Sequence, residues 1–438
     1  MQWPSDLIEA IIRFISDPND LFHFLTALEP TKSLGNLSHL LQLLRIADSN
    51  KHCVWPWLVI TPSTVVDLNL RASVKYYDHI ELNMGHADSV AAFDLTWLDV
   101  APPTAVYLVA YSEGHSVEAS AAWCNHLSTL PITHISLRRY ICDTVHPAWL
   151  NIFPRLQHLT SVILCNVAVA ITPFLAFVST SKLTDLHFVS NSTEEDNIHD
   201  LSLVHLTKWL ETQPVHSFSW LDKGAIAFSS NIVVQAFLCA VSQLTTLTSF
   251  TTNWLTMEDV RYHALKLPQA LQSLQINDLR IHTSDDAVTL DALLTTSNVT
   301  DLSIPDADLS DQFVLECLPK WPLRRLAMPR ALFLTYRACH LLGQILPHTS
   351  IVRLDLSNNI LFGNQGPLVL AACLAASSVQ ELCLNDCNLH EATVLALIDV
   401  AASTPRLSIS LIGNNLNHQQ EVELVNLAQQ RGCQVTMF

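Results

Sequence analysis

One spacing constrains this chain more than any other property. The pattern Leu354-x-Leu356-x-x-Asn359-x-Leu361 returns as Leu382-x-Leu384-x-x-Cys387-x-Leu389, then as Ile409-x-Leu411-x-x-Asn414, and a last pair, Val435-x-Met437, closes the series. The steps are 28, 27 and 26 residues. Weaker copies run back through Leu326/Met328, Leu302/Ile304, Leu274/Ile276, Phe250/Thr252, Phe218/Trp220, Leu186/Phe188, Val162/Leu164, Ile135/Leu137, Val106/Leu108 and Ile80/Leu82, at steps of 24 to 32. Two apolar residues separated by one position put both side chains on the same face of a short strand. A unit of that kind cannot bury its face alone, so it must stack on its neighbours.

The segments between these pairs carry helical periodicity. Leu201, Val204, Leu206, Trp209 and Leu210 suggest one apolar face, with Asp196 or Asp200 placed to cap it. A helix is expected from His390 towards Pro405, another over Glu421–Arg431 ending at Gly432, and Pro367 suits a first helical turn. Strands alternating with helices in this way call for parallel pairing and right-handed crossovers. The expected fold is therefore α/β: a right-handed solenoid, or horseshoe, with a concave parallel sheet and convex helices. Stacking also explains how 438 residues can share one architecture, although single cores stop growing at about 250 to 300 residues. The composition, 49% hydrophobic and 14% charged, suits burial.

Units of this length resemble the ribonuclease-inhibitor-like leucine-rich repeats. The resemblance is close over residues 350–438 and 183–191. It loosens where the sixth position is Leu255, Leu279, Ala307 or Ala331 in place of the family's Asn or Cys, which predicts a broken asparagine ladder in the middle repeats.

Side chains beside the inward apolar pairs point to the open face. They include Arg138, His187, Arg353, Asp355 and Glu381, the candidate residues for binding a target protein. The sequence reads this face as polar, nearly balanced in charge and poor in large aromatic side chains.

A balance of 40 acidic against 23 basic residues, a formal charge of -17, repels phosphate backbones and anionic lipid, so no nucleic-acid or membrane partner is expected. The apolar stretch Val162–Val178 is interrupted by Asn166, Thr172 and Pro173 and fits the repeat register better than a membrane span. No signal peptide is visible at the start. Eleven cysteines without a C-x-x-C pair read as free buried thiols in a reducing compartment, cytoplasmic or nuclear. The sequons at Asn36, Asn191 and Asn298 carry little weight in such a protein. No hydrolase, zinc-protease or phosphate-loop motif occurs. Cys383 and Cys387 are the closest cysteine pair, but strand phase sends them different ways, and the histidines lack ligand spacing. No catalytic residue, metal or cofactor is expected.

Residues 1–57 differ in kind from the solenoid expected over 58–438. Ser5 is placed to cap a helix carrying Leu7, Ile11, Phe14 and Ile15, and a break at Asp17-Pro18 leads to a second helix with Leu21, Phe24, Leu25 and Leu28. A third runs through Leu37, Leu40, Leu41, Leu44 and Ile46. Trp3-Pro4-Ser5-Asp6-Leu7, Asp17-Pro18-Asn19-Asp20-Leu21 and Trp55-Pro56-Trp57 resemble, in order, the landmarks of an F-box. The segment departs from that family at Ala27-Leu28-Glu29-Pro30. The resemblance implies a ubiquitin-ligase adaptor as partner, contacted through Pro4, Leu7, Ile8, Ile11 and Leu21, which should then be partly exposed. A plain helical cap over the first sheet edge would instead bury them.

The sequence thus points to a non-enzymatic protein-binding chain, monomeric outside its complex. Its preferred reading is an F-box-like substrate receptor of a cullin-RING ubiquitin ligase holding an unknown target protein. The alternative is a leucine-rich-repeat scaffold or inhibitor with no ubiquitin link. GTPase activation, which some families of this architecture perform, lacks an identifiable arginine.

Overall fold

The computed structural model describes residues 4–65, 67–83, 95, 97–98, 100, 104–112, 125–144, 147–168, 170–190, 200–222, 231–253, 260, 265–281, 283–308, 316–331, 335–360 and 365–437. Trp3, Asn191, Asp196, Leu255 and Leu361 lie outside them. The strands are β1 (Leu58–Ile60), β2 (His79–Asn83), β3 (Ala105–Ser112), β4 (Ile132–Thr144), β5 (Ser161–Ala168), β6 (Asp185–Ser190), β7 (Ser217–Asp222), β8 (Ser249–Thr252), β9 (Ser273–Ile276), β10 (Asp301–Ser303), β11 (Arg325–Ala327), β12 (Arg353–Asp355), β13 (Glu381–Cys383), β14 (Ser408–Ser410) and β15 (Gln434–Thr436). They form a parallel sheet whose strand order is the chain order. This is the α/β leucine-rich-repeat architecture that the spacing demands. The chain divides into two compact units, Met1–Gln213 with Asp222–Ser229, and Pro214–Leu221 with Ser230–Phe438.

Register follows the apolar rhythm. In the second unit Leu274, Leu302, Leu326, Leu354, Leu382, Ile409 and Val435 stand in one cross-strand row, and Leu354, Leu382 and Ile409 are fully buried. The first unit departs from it twice: between β4 and β5 the register shifts after Arg138 and Cys165, where Asp143 next pairs with Val167, and the other shift lies between β3 and β4. Val106 pairs with Ile132, but Tyr107 pairs with His134 and Leu108 with Ile135. A bulge there absorbs the long step that spacing alone assigns between Val106 and Ile135.

A second periodicity runs through the turns that leave the strands. Asp278, Asp306, Arg330, Asn358, Asp386 and Gly413 all have positive φ, between 54° and 70°. In that left-handed turn the backbone N–H swings towards the next repeat. Asp278 donates to Pro305 O, Asp306 to Pro329 O, Arg330 to Ser357 O, Asn358 to Asn385 O and Asp386 to Ile412 O. Asn, Asp and Gly tolerate the conformation best. Arg330 is the exception, and its guanidinium reaches back to both carboxylate oxygens of Asp306, at 2.7 and 2.8 Å.

Behind these turns stands the asparagine ladder. Asn359 Nδ2 donates to Met328 O at 2.9 Å and Leu356 O at 2.8 Å. Asn414 Nδ2 donates to Leu384 O and Leu411 O, both at 2.8 Å, while its Oδ1 accepts from the N–H groups of Cys387 at 3.1 Å and Leu389 at 3.0 Å. Cys387 holds the rung between them with its thiol towards Leu356 O at 3.4 Å. Leu279, Ala307 and Ala331 are buried at the corresponding position, where apolar packing replaces the polar rung.

Helices complete the core. Asn417 and Gln420 form a capping box at the start of helix His418–Gln430, and Gly432, at φ 69°, follows its end. Pro367 lies in the first turn of helix Gln365–Leu374. In helix Asp200–Thr212 the buried face is Leu203, Leu206, Trp209 and Leu210, whereas Leu201 and Val204 are about half exposed; the expected stripe is therefore rotated by part of a turn. Trp209 Nε1 donates to Leu183 O at 2.8 Å, which fixes that helix against the strand entry. The apolar stretch Val162–Val178 resolves into β5 and helix Ile171–Val178. Among the described residues no helix is long and apolar enough to cross a membrane.

Candidate interaction surfaces

The first unit opens with α1 (Ser5–Ile12), α2 (Pro18–Leu28) and α3 (Leu37–Ala47). Ser5 is the first helical residue, not the cap. Pro4 takes the cap position and makes no side-chain cap. Asp17 caps α2, its Oδ1 accepting from the N–H groups of Asn19 at 2.8 Å and Asp20 at 3.0 Å. Those two donors favour the charged carboxylate and hold its pKa below the usual range.

α1 is apolar on two sides. Ile8 and Ile12 are fully buried, as are Leu21 and Leu25 of α2 and Leu37, Leu40 and Leu44 of α3. On the other side Leu7 is 49% exposed and Phe14, just past the helix end, is 90% exposed. Pro4 is exposed and Ile11 half-buried. Of the five residues singled out by the F-box resemblance, Pro4, Leu7 and Ile11 therefore reach the surface, and Ile8 and Leu21 belong to the core. Phe14, spaced with Leu7 and Ile11 at i, i+4 and i+7, joins the outward stripe. Trp55 is buried and its indole N–H donates to Ile15 O. It packs on Tyr77 with ring centroids 5.5 Å apart, joining the end of α1 to the first repeats.

Trp57 turns the opposite way, and here the sequence reading needs correction. The open face of β1–β4 is rich in rings. Trp57, 46% exposed, stacks on His79 at 5.4 Å and on Tyr107 at 5.7 Å. Tyr107 stacks on His134 at 4.2 Å. Tyr107 sits between the inward residues Val106 and Leu108, so strand alternation alone places it outward. The row continues in register from Tyr107 and His134 to Ser161 and Asp185.

Arg138 and His187 meet on the same face. Ser136, Ile163 and His187 stand in one row, with Arg138 and Cys165 in the next. Arg138 is exposed, its Nε 3.2 Å from Ser136 Oγ. Burial lowers the His187 imidazole pKa, and the nearby Arg138 charge lowers it further. Burial also lowers that of His134, against the opposing pull of Asp185.

The other three candidates lie together in the second unit. Arg353 pairs in register with Glu381, and Asp355 with Cys383. Arg353 Nη1 reaches Glu381 Oε2 at 3.2 Å, and the neighbouring Arg325 reaches Asp301 at 3.2 Å. Asp355 Oδ1 accepts from Ser357 N at 3.0 Å. These charges largely satisfy one another on an exposed surface, where such pairs contribute little to stability. Cys383 is half-buried on this face and Cys387 is buried in the ladder. Among the described residues no cluster of ligating side chains could hold a metal ion.

No protein-family model matches the chain, and no curated protein matches its sequence. Among solved structures it is similar to a chain in the crystal structure of the Rad7 and Elc1 complex in yeast, with a TM-score of 0.45, 14% identity, and coverage of 69% of this chain and 85% of that one. A chain of the TLR13–ssRNA13 complex gives a TM-score of 0.38 at 16% identity, covering 81% of this chain and 44% of that one. The fold assignment rests on strand order, register and the ladder of the chain itself: it is a leucine-rich-repeat solenoid.

Proposed function

We propose that this protein is a non-enzymatic substrate receptor of a cullin-RING ubiquitin ligase. In this reading α1–α3 hold the ligase adaptor, the open sheet face holds a target protein, and the ligase chemistry lies in other subunits. The observation that carries the proposal is the two-sidedness of α1. A cap needs only an inward apolar face, which Ile8 and Ile12 supply. The outward stripe Pro4, Leu7, Ile11 and Phe14 has no such duty, and exposed apolar surface of that kind is retained where a partner covers it. The ring ladder and Arg138 give the target surface the side-chain types that dominate protein interfaces. The free cysteines suit a cytoplasmic or nuclear setting.

The test is binding of the purified chain to a cullin-RING adaptor. Leu7→Asp with Ile11→Asp should abolish binding while circular dichroism shows the fold retained, the stability cost coming from half-buried Ile11 and little from exposed Leu7. Unchanged binding refutes the proposal. Burial of Ile8 and Leu21 favours the second reading, a repeat scaffold or inhibitor with no ubiquitin link, in which interaction maps only to the sheet face.

A further inference from the structure

A groove of about 700 Å³ lies in the second unit where β11–β14 begin. Arg324 borders it from the first of these four repeats and Arg406 from the last, with Ser350, Ser378, Gln380 and Thr404 between them. Among the described residues no acidic one lines it. That is notable in a chain with 40 acidic and 23 basic residues, whose other arginines nearby are taken: Arg325 by Asp301, Arg330 by Asp306, Arg353 by Glu381 and Arg431 by Asp399. Among the described residues Arg324 and Arg406 have no such partner, and both are exposed. Glu381, which follows Gln380, is held by Arg353.

Strand spacing sets the distance between the two cations. β11 and β14 are three strand steps apart, so the backbones carrying the arginines are separated by about 14 Å at about 4.8 Å per step. An extended peptide advances about 3.4 Å per residue, so about four residues span that distance. We infer that this groove binds an extended acidic peptide segment carrying two oxyanion side chains four residues apart, one at each arginine, with the exposed Ser350 and Ser378 hydroxyls and the Gln380 amide contacting the intervening chain. Guanidinium forks engage carboxylate and phosphate alike, so Asp or Glu and phosphoserine share the required chemistry. The groove shares no residue with the α1 stripe, so the inference does not rest on the adaptor reading.

Fluorescence anisotropy with the full chain tests this. The probes are labelled ten-residue peptides bearing two phosphoserines or two glutamates at spacing i, i+4, the same groups at i, i+1, and a neutral control. The i, i+4 peptides should bind at least tenfold more tightly than both the adjacent-charge and the neutral peptides, and Arg324→Gln with Arg406→Gln should remove that advantage. Equal binding by the two i, i+4 peptides assigns the site to acidic segments generally; binding by the phosphorylated one alone assigns it to phosphopeptides. Indifference to spacing overturns the inference, and that comparison needs only the unaltered chain. Wild-type affinity in the double variant also overturns it. So does a fall in thermal midpoint with no peptide binding by the unaltered chain, because Arg406 would then serve only the negative end of the preceding helix.

Discussion

Asn414 is the residue whose loss should be most costly for its size. Its side chain makes four hydrogen bonds, two donated to Leu384 O and Leu411 O and two accepted from Cys387 N and Leu389 N, and it is 8% exposed. Asn414→Ala strands two buried N–H groups at about 1–3 kcal/mol each. Carbonyls tolerate the loss of one partner better, and water entering the small cavity recovers part of the cost. The net expectation is about 3 kcal/mol. Neighbouring Asn415 is exposed and its side-chain amide meets His390 Nδ1 at 3.3 Å on that surface, so Asn415→Ala should cost less than about 0.5 kcal/mol, as most surface substitutions do. Urea unfolding followed by circular dichroism reads both, with midpoints compared directly because terminal repeats can unfold separately. Equal midpoints for the two variants would refute the ladder as a source of stability.

Gly413 and Gly432 share the left-handed conformation, at φ 70° and 69°, but only at Gly413 would an added Cβ meet the Asp386 carboxylate. Gly432→Ala should therefore cost about 1 kcal/mol for the conformation alone, and Gly413→Ala clearly more, by thermal melting. Burial holds His134 and His187 below the ordinary imidazole value of 6.5. The stability they contribute is complete above pH 6.5 and is lost as pH falls from there through the lower folded-state values, since the unfolded chain takes up protons first. A double His→Gln variant should flatten that part of the pH–stability curve. Burial pushes the thiol of Cys387 up to about 11 and that of Cys339 up to about 12, while Cys53 and Cys239 are exposed. Alkylation of the native chain at pH 8 should label the latter pair well before the former, by mass spectrometry.

The repeat was legible because buried apolar residues recur at nearly fixed steps and a strand admits only two faces. Asn359 and Asn414 were legible as ladder residues for the same reason. Several features were not. The bulge between β3 and β4 escaped because Val106 and Leu108 are both apolar, so either could be set against Ile135. The inner face of α1 was hidden because Leu7, Ile8, Ile11 and Ile12 form one continuous apolar arc away from Asp6 and Glu9; only packing separates Ile8 and Ile12 from Leu7, Ile11 and Phe14. Arg330 gives no local sign of a left-handed turn, and its place becomes intelligible only with Asp306 beside it. The ring ladder is hidden because Trp57 precedes the recurring apolar pairs, in the F-box-like landmark Trp55-Pro56-Trp57, and Tyr107 lies between Val106 and Leu108, where only alternation sends it outward. The thiols expected to be buried are divided, with Cys53 and Cys239 at the surface.

The central claim is that two separate surfaces of the first unit hold two different proteins. Quantitative affinity capture from cells tests it most directly, using the unaltered chain, a stripe variant (Leu7→Asp, Ile11→Asp) and a face variant (Tyr107→Ala, Arg138→Glu). A cullin-RING adaptor should vanish from the stripe variant alone, and a distinct protein should vanish from the face variant alone while the adaptor stays. Retention of the adaptor by the stripe variant, or loss of the same proteins from both variants, would contradict the account.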